Sequence, residues 1–166
     1  MDSTYWIKKL SLQKHPEGGY FKEIYRSNES ISNYSLPDRF DGDRCFATSI
    51  YFLLEKNNFS AFHRIKSDEI WHFYQGESIT IYTIDNSGNL KNHKFGNNPE
   101  NEEELQVVIP RNTWFAAILN KQDSFALVGC TVSPGFNFND FELAKRELLI
   151  NLFPQHKEII EKLTIN

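Results

Sequence analysis

The stretch that decides the fold covers residues 62–76 and reads Phe62-His63-Arg64-Ile65-Lys66-Ser67-Asp68-Glu69-Ile70-Trp71-His72-Phe73-Tyr74-Gln75-Gly76. It places two histidines and two carboxylates in a segment whose other residues fit two strands with a tight connection. Side chains on neighbouring strands lie within a few ångströms of one another. The stretch therefore predicts a small β-barrel that gathers His63 and Glu69 into one site.

The composition of the chain limits its structural class. With 166 residues, the chain has the length of a single domain, residues 1–166. Aromatic residues make up 14% of it, and because aromatic side chains fit the half-buried surface of a sheet, we expect an all-β core. The two isolated cysteines, Cys45 and Cys130, lie in apolar runs and indicate buried, reduced thiols.

Charge and hydropathy patterns argue against two kinds of partner. The net charge is −4 and there is no basic run, so we expect no nucleic-acid partner. No apolar stretch approaches the roughly 18 residues of a membrane span, and the N-terminus has no signal-peptide core. We therefore expect a cytoplasmic protein without a membrane partner.

Turn signals divide the chain into short strands followed by helices. The pattern predicts a short N-terminal helix capped at Asp2 or Ser3, a C-terminal helix from Asn139 or Asp140 to about Leu152, and a further helix from Pro154 to about Leu163. The polar segment 27–44 is expected to be a long loop that either closes over a pocket or serves a dimer. The predicted strands cover 20–26, 45–54, 59–65, 69–75, 78–84, 90–95, 105–109, 113–119 and 125–132.

Several longer segments of the sequence resemble those of a known family. They are His15-Pro16-Glu17-Gly18-Gly19-Tyr20-Phe21, Tyr25-Arg26-Ser27, Ser49-Ile50-Tyr51-Phe52-Leu53-Leu54, Phe62-His63-Arg64, Ser67-Asp68-Glu69-Ile70-Trp71-His72 and Val128-Gly129-Cys130-Thr131-Val132-Ser133-Pro134-Gly135-Phe136. In these segments the chain resembles the cupin superfamily, and within it the small cupin-5-type family known as a domain of unknown function. The resemblance implies a double-stranded β-helix (a jelly-roll barrel) that is usually paired as a homodimer. It implies no activity.

The resemblance also bears on a metal cofactor. In the cupin motifs His63 and Glu69 match two ligand positions, whereas Ile65 and Phe115 stand where two further histidines belong. Three or four converging donors are needed to hold a first-row metal, and these two side chains supply none. We therefore expect no metal cofactor; if a divalent metal binds, His63 and Glu69 are its expected ligands.

A histidine and a carboxyl inside an aromatic barrel can also work without metal. Burial raises a carboxyl pKa, and such a pair can abstract and return protons. The segments around His63 and Gln106 are locally similar to segments of cupin-fold epimerases that act on nucleotide-linked keto-deoxysugars. We therefore expect an isomerase or epimerase on a small sugar-derived ligand, with His63 as base and Glu69 as its acidic or orienting partner. The alternatives are a metal-dependent oxygenase or isomerase, and a non-catalytic binding protein.

Further side chains are candidates for substrate binding. Arg26 either clamps an anionic group of the substrate or forms an ordinary ion pair. Regular alternation would put Glu23 and Tyr25 on the face of Phe21 and put His72 opposite Glu69. The other histidines, His15, His93 and His156, are predicted to lie in turns or on the surface without a role. The predicted substrate-binding set is Arg26, Glu23, Tyr25, His72, Trp71, Gln106 and Trp114.

Overall fold

A computed structural model describes residues 2–165. The helices are α1 (Ser3–Leu10), α2 (Arg146–Leu152) and α3 (Lys157–Lys162), with 3-10 turns at Asn33–Ser35, Pro99–Asn101, Phe138–Asp140 and Pro154–His156. The strands are β1 (Gln13–Lys14), β2 (Tyr20–Arg26), β3 (Ser30–Ile31), β4 (Arg44–Cys45), β5 (Thr48–Glu55), β6 (Phe59–Arg64), β7 (Asp68–Gly76), β8 (Ile79–Ile84), β9 (Leu90–Phe95), β10 (Gln106–Ile109), β11 (Trp114–Leu119), β12 (Phe125–Ser133) and β13 (Glu142–Leu143).

Two antiparallel sheets face each other and form the jelly roll predicted from the sequence. One sheet has the strand order β1-β2-β5-β12-β7-β10 and the other the order β13-β6-β11-β8-β9. A separate two-stranded ribbon pairs β3 with β4. All the predicted strands are present, with ends shifted by a few residues. The all-β prediction is confirmed because the period-2 pattern of the sequence matches the two faces of each strand.

The interior between the sheets is packed with aromatic and aliphatic side chains. On β11, Phe115, Ala117 and Leu119 face this interior, while Trp114 and Ala116 point out of the barrel. The interior cluster consists of Phe52, Leu54, Trp71, Phe73, Ile79, Ile81, Phe95, Val107, Ile109, Phe115, Ala117, Leu119, Ala126, Val128 and Cys130.

The C-terminal helices cover the outer face of the smaller sheet. Leu149 of α2 and Ile160 of α3 pack against Phe62, Trp114 and Ala116. The prediction that a helix begins at Asn139 or Asp140 is wrong, because those residues form a 3-10 turn and the chain then adds strand β13 before α2 begins at Arg146. The Asp140 carboxylate instead makes a buried ion pair with Arg44.

The N-terminal helix begins as predicted. The Asp2 side chain accepts a hydrogen bond from the Tyr5 backbone N–H at 2.9 Å, which satisfies one of the free donors of the first turn. Among the described residues, no helix has both the length and the apolar character needed to cross a membrane.

Candidate functional site

A cavity of about 340 Å³ lies between the sheets, beside the loop that joins β1 to β2. The loop brings His15 and Glu17, the strands bring the polar side chains Glu23, Arg26, His63 and Glu69, and the segment after β12 closes one side. The full lining is His15, Glu17, Phe21, Glu23, Arg26, Thr48, Ile50, Phe52, His63, Ile65, Glu69, Cys130, Val132, Phe136, Asn137, Phe138 and Phe141.

Glu17 is the carboxylate partner of His63. Its Oε2 atom lies 3.2 Å from His63 Nε2 and 3.2 Å from His15 Nδ1. Its Oε1 atom accepts a 2.7 Å hydrogen bond from the Ser60 hydroxyl. Because His63 Nδ1 contacts the Ala61 carbonyl oxygen at 2.7 Å, and a carbonyl only accepts, Nδ1 carries a proton and Nε2 is the basic nitrogen. The basic atom of His63 therefore faces a carboxylate.

Two glycines hold Glu17 in this buried position. Gly18 and Gly19 both have positive φ, at +113° and +69°. A Cβ on Gly18 would lie 2.1 Å from the Phe59 carbonyl oxygen, so only glycine allows the loop to approach β6 this closely. The Glu17 carbonyl then accepts a 2.8 Å hydrogen bond from the Ala61 N–H, which fixes the loop against the same strand that carries His63.

The pKa values of this pair are shifted by burial and by each other. Burial raises the pKa of Glu17, but the charges of His63 and His15 and the hydrogen bonds from His15 and Ser60 outweigh it and hold that pKa below its ordinary value. Burial lowers the pKa of His63 against the attraction of Glu17. Above the His63 pKa, the pair is thus a neutral imidazole facing a carboxylate, with room for one proton between them.

Glu69 is the second buried carboxyl of the cavity, and its environment is the opposite of that of Glu17. Burial raises the pKa of Glu69 to about 8, and the charge of Glu17 adds to the rise. The Cys130 thiol and the Trp71 indole near the carboxyl oppose the shift, although the indole N–H makes no hydrogen bond to a described residue. Glu69 is 8% exposed and holds its proton at neutral pH. The cavity therefore combines one ionised and one neutral carboxyl.

A β-bulge decides which side chains of β2 reach the cavity. The register against β5 shifts between Glu23 and Tyr25, so that Glu23 and Arg26 both line the cavity. Tyr25 is 53% exposed and lies outside it. The regular alternation predicted for Tyr25 is wrong, because the extra residue at the bulge reverses the faces beyond it.

Arg26 is engaged by other groups of the protein. Its Nε and one terminal nitrogen donate to the two carboxylate oxygens of Glu23, at 3.0 and 2.7 Å. The other terminal nitrogen donates to the Phe136 carbonyl at 3.2 Å and to Cys45 Sγ at 3.4 Å. Of the two roles expected for Arg26, an anion clamp and an ordinary ion pair, the structure shows the ion pair.

The remaining predicted side chains lie away from the cavity. Trp71 is 1% exposed and packs in the barrel interior. Trp114 points outward, where the Arg64 guanidinium lies 4.4 Å from its ring centroid. His72 is on the outer face of β7, as its alternation predicted, and contacts Thr131 Oγ1 at 3.1 Å. Gln106 is exposed on β10.

Sequence reasoning missed the two side chains that surround the His63 contact, His15 and Glu17. The His15 side chain is only 7% exposed and packs against Phe21, at 4.7 Å between ring centroids, so the prediction that it lies on the surface is wrong. The useful signal was Gly18-Gly19 directly after Glu17, since paired glycines allow a loop to approach a neighbouring backbone closely.

The cavity lacks two of the donors that the cupin metal motifs supply. Ile65 and Phe115 fill two of the ligand positions of the cupin motifs with apolar atoms, and the ring of Phe115 lies 4.0 Å from that of His63, centroid to centroid. His63 Nε2 lies 3.2 Å from the Glu17 carboxylate. Within residues 2–165, no three His, Cys, Asp or Glu side chains converge in a metal-binding arrangement.

The paired sheets with a polar cavity between them define a cupin. A family model described as "Cupin superfamily (DUF985)" matches residues 4–144. The chain belongs to this family, which is one of unknown function, and cupin membership supports the binding of a small molecule.

Relatives agree with this assignment. An uncharacterized protein of Saccharomyces cerevisiae is 31% identical over 153 residues, which cover 85% of this chain and 74% of the yeast protein. A solved structure from Shewanella oneidensis has a TM-score of 0.90 and 39% identity, and covers 99% of this chain and 98% of that one. A hypothetical protein from Leishmania major has a TM-score of 0.88 and 30% identity over the full length of both chains.

A more distant similarity concerns the fold alone. Oxalate decarboxylase from Bacillus subtilis matches with a TM-score of 0.55 and 17% identity, over 90% of this chain and 36% of that one. Both proteins thus share the jelly-roll architecture. A sequence identity this low gives no information about activity.

Proposed function

We propose that this protein is a metal-independent acid–base enzyme, an isomerase or epimerase, that acts on a small sugar-derived metabolite. One observation carries the proposal: the Glu17–His63 pair and the neutral carboxyl of Glu69 line the same cavity. Two titratable groups whose surroundings push their pKa values apart are the usual basis for assigning an acid and a base.

The Glu17–His63 pair is the proposed base. At neutral pH the lone pair of His63 Nε2 faces the Glu17 carboxylate at 3.2 Å, which is a repulsive arrangement. A proton taken from a substrate carbon would enter this contact and convert the repulsion into a charge-assisted hydrogen bond. Ser60, which donates to the other carboxylate oxygen, holds Glu17 in place during the transfer.

Glu69 is the proposed acid. Removing a proton from the carbon beside a carbonyl moves electron density onto the carbonyl oxygen, and Glu69 then donates its proton to that oxygen to give an enol. In the reverse step Glu69 recovers its proton from the enol, and the base returns a proton to carbon. Return to the neighbouring carbon, with Glu69 recovering its proton from the other enediol hydroxyl, gives an isomer. An epimer forms when the enol turns over in the cavity before the base returns the proton. No net proton is consumed.

The cavity supports a small substrate. Its volume of about 340 Å³ lies at the lower end of the range for ligand sites. Five phenylalanine rings line its wall, beside polar and titratable side chains that include Glu17, His63 and Glu69. This composition is typical of a site that binds a compact ligand by shape and orients it with a few hydrogen bonds.

Deuterium exchange tests the proposal. Purified protein would be incubated with a panel of hexoses and related keto-sugars in D₂O, and incorporation at carbon would be followed by NMR. We expect exchange with at least one compound, and its loss by at least a hundredfold in His63→Asn and Glu69→Gln. The matched control His72→Asn lies on the outer face of the strand that carries Glu69, and it should exchange at the rate of the unmodified protein.

Two outcomes would overturn the proposal. Tight binding of a compound without exchange at any carbon would favour a non-catalytic binding protein. Stoichiometric iron, nickel, manganese or zinc in protein purified without added metal, lost in His63→Ala, would favour a metal-dependent enzyme.

A further inference from the structure

We infer that the cavity takes an uncharged hydroxylated ligand, a free sugar rather than a phosphorylated or nucleotide-linked one, and that Glu23 excludes anions by holding Arg26. The inference rests on the proposed function in placing the substrate in this cavity. It adds the charge of the ligand and a residue that determines it.

The first support is the state of Arg26. Among the described lining residues it is the one lysine or arginine. Four of its five N–H groups are directed at protein acceptors: two at Glu23, one at the Phe136 carbonyl and one at Cys45 Sγ. The guanidinium is therefore neutralised and oriented by the protein. Because the side chains of Arg26 and Glu23 are 45% and 39% exposed, a phosphate or carboxylate would have to displace Glu23 to be clamped.

The second support is the charge deeper in the cavity. Glu17 is ionised, and His63 beside it is neutral above its lowered pKa. An anionic ligand would meet the Glu17 charge in a partly desolvated site, where like charges repel more strongly than in water. With Arg26 paired to Glu23, no nearby cation offsets this repulsion.

A cationic ligand is also disfavoured. Glu69 holds its proton at neutral pH, so it offers a neutral carboxyl. Of the two remaining carboxylates, Glu23 is bound by Arg26. Glu17 accepts from Ser60 and faces two imidazoles, His15 and His63. No bare carboxylate is left to pair with an ammonium group.

An uncharged sugar satisfies what the cavity offers. The neutral Glu69 carboxyl both donates and accepts hydrogen bonds, which suits a hydroxyl or carbonyl group. The C–H faces of a sugar ring fit the aromatic walls, in which the rings of Phe136 and Phe138 lie 5.0 Å apart and His15 stacks on Phe138 at 6.2 Å. The phenylalanines that line the cavity are Phe21, Phe52, Phe136, Phe138 and Phe141.

Matched ligands test the inference. Binding of glucose, mannose and fructose, of their 6-phosphates and of glucosamine would be measured by ligand-observed NMR and calorimetry at pH 7. We expect at least one free hexose to bind, its 6-phosphate to bind at least tenfold more weakly, and glucosamine to bind no more tightly than glucose. In Glu23→Gln, which frees Arg26, the affinity for the phosphate should rise at least tenfold relative to the affinity for the free hexose.

Two variants make the outcome specific. The double variant Glu23→Gln/Arg26→Gln should lose the gained phosphate affinity, and Glu100→Gln, which removes an exposed carboxylate away from the cavity, should bind as the unmodified protein does. Absence of hexose binding, equal or tighter binding of the phosphate or of glucosamine, or an unchanged Glu23→Gln would overturn the inference. Deuterium exchange into a phosphorylated sugar would overturn it while leaving the proposed acid–base function intact. Hexose binding without deuterium exchange would contradict the proposed acid–base function and leave this inference intact.

Discussion

Glu17 Oε2 lies 3.2 Å from His63 Nε2, so the loop between β1 and β2 supplies the partner of a histidine that belongs to β6. The contact is buried, with the two side chains 7% and 3% exposed. A buried pair of this kind is costly to break because the group left behind remains desolvated. Several measurable consequences depend on this contact and on its surroundings.

Replacing Glu17 tests the pair directly. Glu17→Gln removes the charge that attracts a proton to His63, so we expect the pKa of His63 to fall further below its ordinary value, as followed by NMR of the ring protons. We also expect the free energy of unfolding to fall by about 3 kcal/mol, measured by chemical denaturation at a pH below the His63 pKa, where the pair is ionic. Glu100→Gln, the exposed control, should change stability by less than about 0.5 kcal/mol. An unchanged His63 titration would contradict the contact.

The dependence of stability on pH tests Glu69. Its folded pKa of about 8 is above the unfolded value of about 4.3, so the folded state keeps a proton that the unfolded state has released, and stability falls as pH rises between these values. The folded pKa of His63 is lowered, so its contribution rises with pH up to about 6.5 and offsets the Glu69 loss below that point. We expect a net loss of about 2 kcal/mol from pH 6.5 to 8. In Glu69→Gln the free energy of unfolding should change little between pH 6.5 and 8. An equal slope against pH in both proteins would show that Glu69 does not hold a proton in the folded state.

Gly18, directly after Glu17, and Gly42, in the segment before β4, offer a matched steric test. Gly18 and Gly42 have similar positive φ values, +113° and +104°, but a Cβ would lie 2.1 Å from a carbonyl oxygen at Gly18 and 3.9 Å from its nearest neighbour at Gly42. Both alanine variants carry the same backbone strain, so their difference isolates the clash. We expect Gly18→Ala to be less stable than Gly42→Ala by about 2 kcal/mol or more in thermal and chemical unfolding. Equal losses would mean that the loop can move away from β6.

A buried ion pair fastens the segment that closes the cavity. Arg44 donates to both oxygens of Asp140 at 2.6 Å, and both side chains are almost fully buried. We expect Arg44→Met to cost about 3–5 kcal/mol because the buried Asp140 loses both short contacts and keeps, among the described residues, only Lys66 Nζ, 3.7 Å from its Oδ1, as a cation nearby. The double variant Arg44→Met/Asp140→Leu should recover much of this loss in denaturant unfolding.

An exposed pair provides the comparison. Arg64 and Glu142 lie 2.7 Å apart but are 35% and 56% exposed, so Glu142→Gln should cost less than about 1 kcal/mol. A similar cost for both pairs would show that burial does not determine the contribution at Arg44.

The homodimer implied by the family resemblance stays a prediction. The larger sheet exposes apolar side chains on its outer face, including Ile24, Tyr74 and Val108, each about half exposed. Sedimentation at micromolar concentration should give a dimer, and Val108→Glu should shift it towards monomer because burying a carboxylate in an apolar interface is costly. A monomeric unmodified protein would contradict the prediction.

The strands and the inward direction of Glu69 could be predicted from the sequence because each depends on local alternation. Along β7 the chain places Glu69, Trp71 and Phe73 on one face and His72 on the other, as the period of 2 requires. The same rule failed at Tyr25, where a bulge inserts one residue into β2. A bulge depends on how two strands pair, and the local pattern of one strand does not determine that pairing.

The sequence by itself determined the jelly roll, the inward positions of His63 and Glu69, and the replacement of two metal-ligand positions by Ile65 and Phe115. These follow from side-chain periodicity and from residue types, which are local properties. Only the tertiary structure decided that Glu17 is the partner of His63, that Arg26 is held by Glu23, and that the two buried carboxyls have opposite protonation states. Those depend on distance and burial between segments far apart in sequence, since both desolvation and Coulomb interactions act through space.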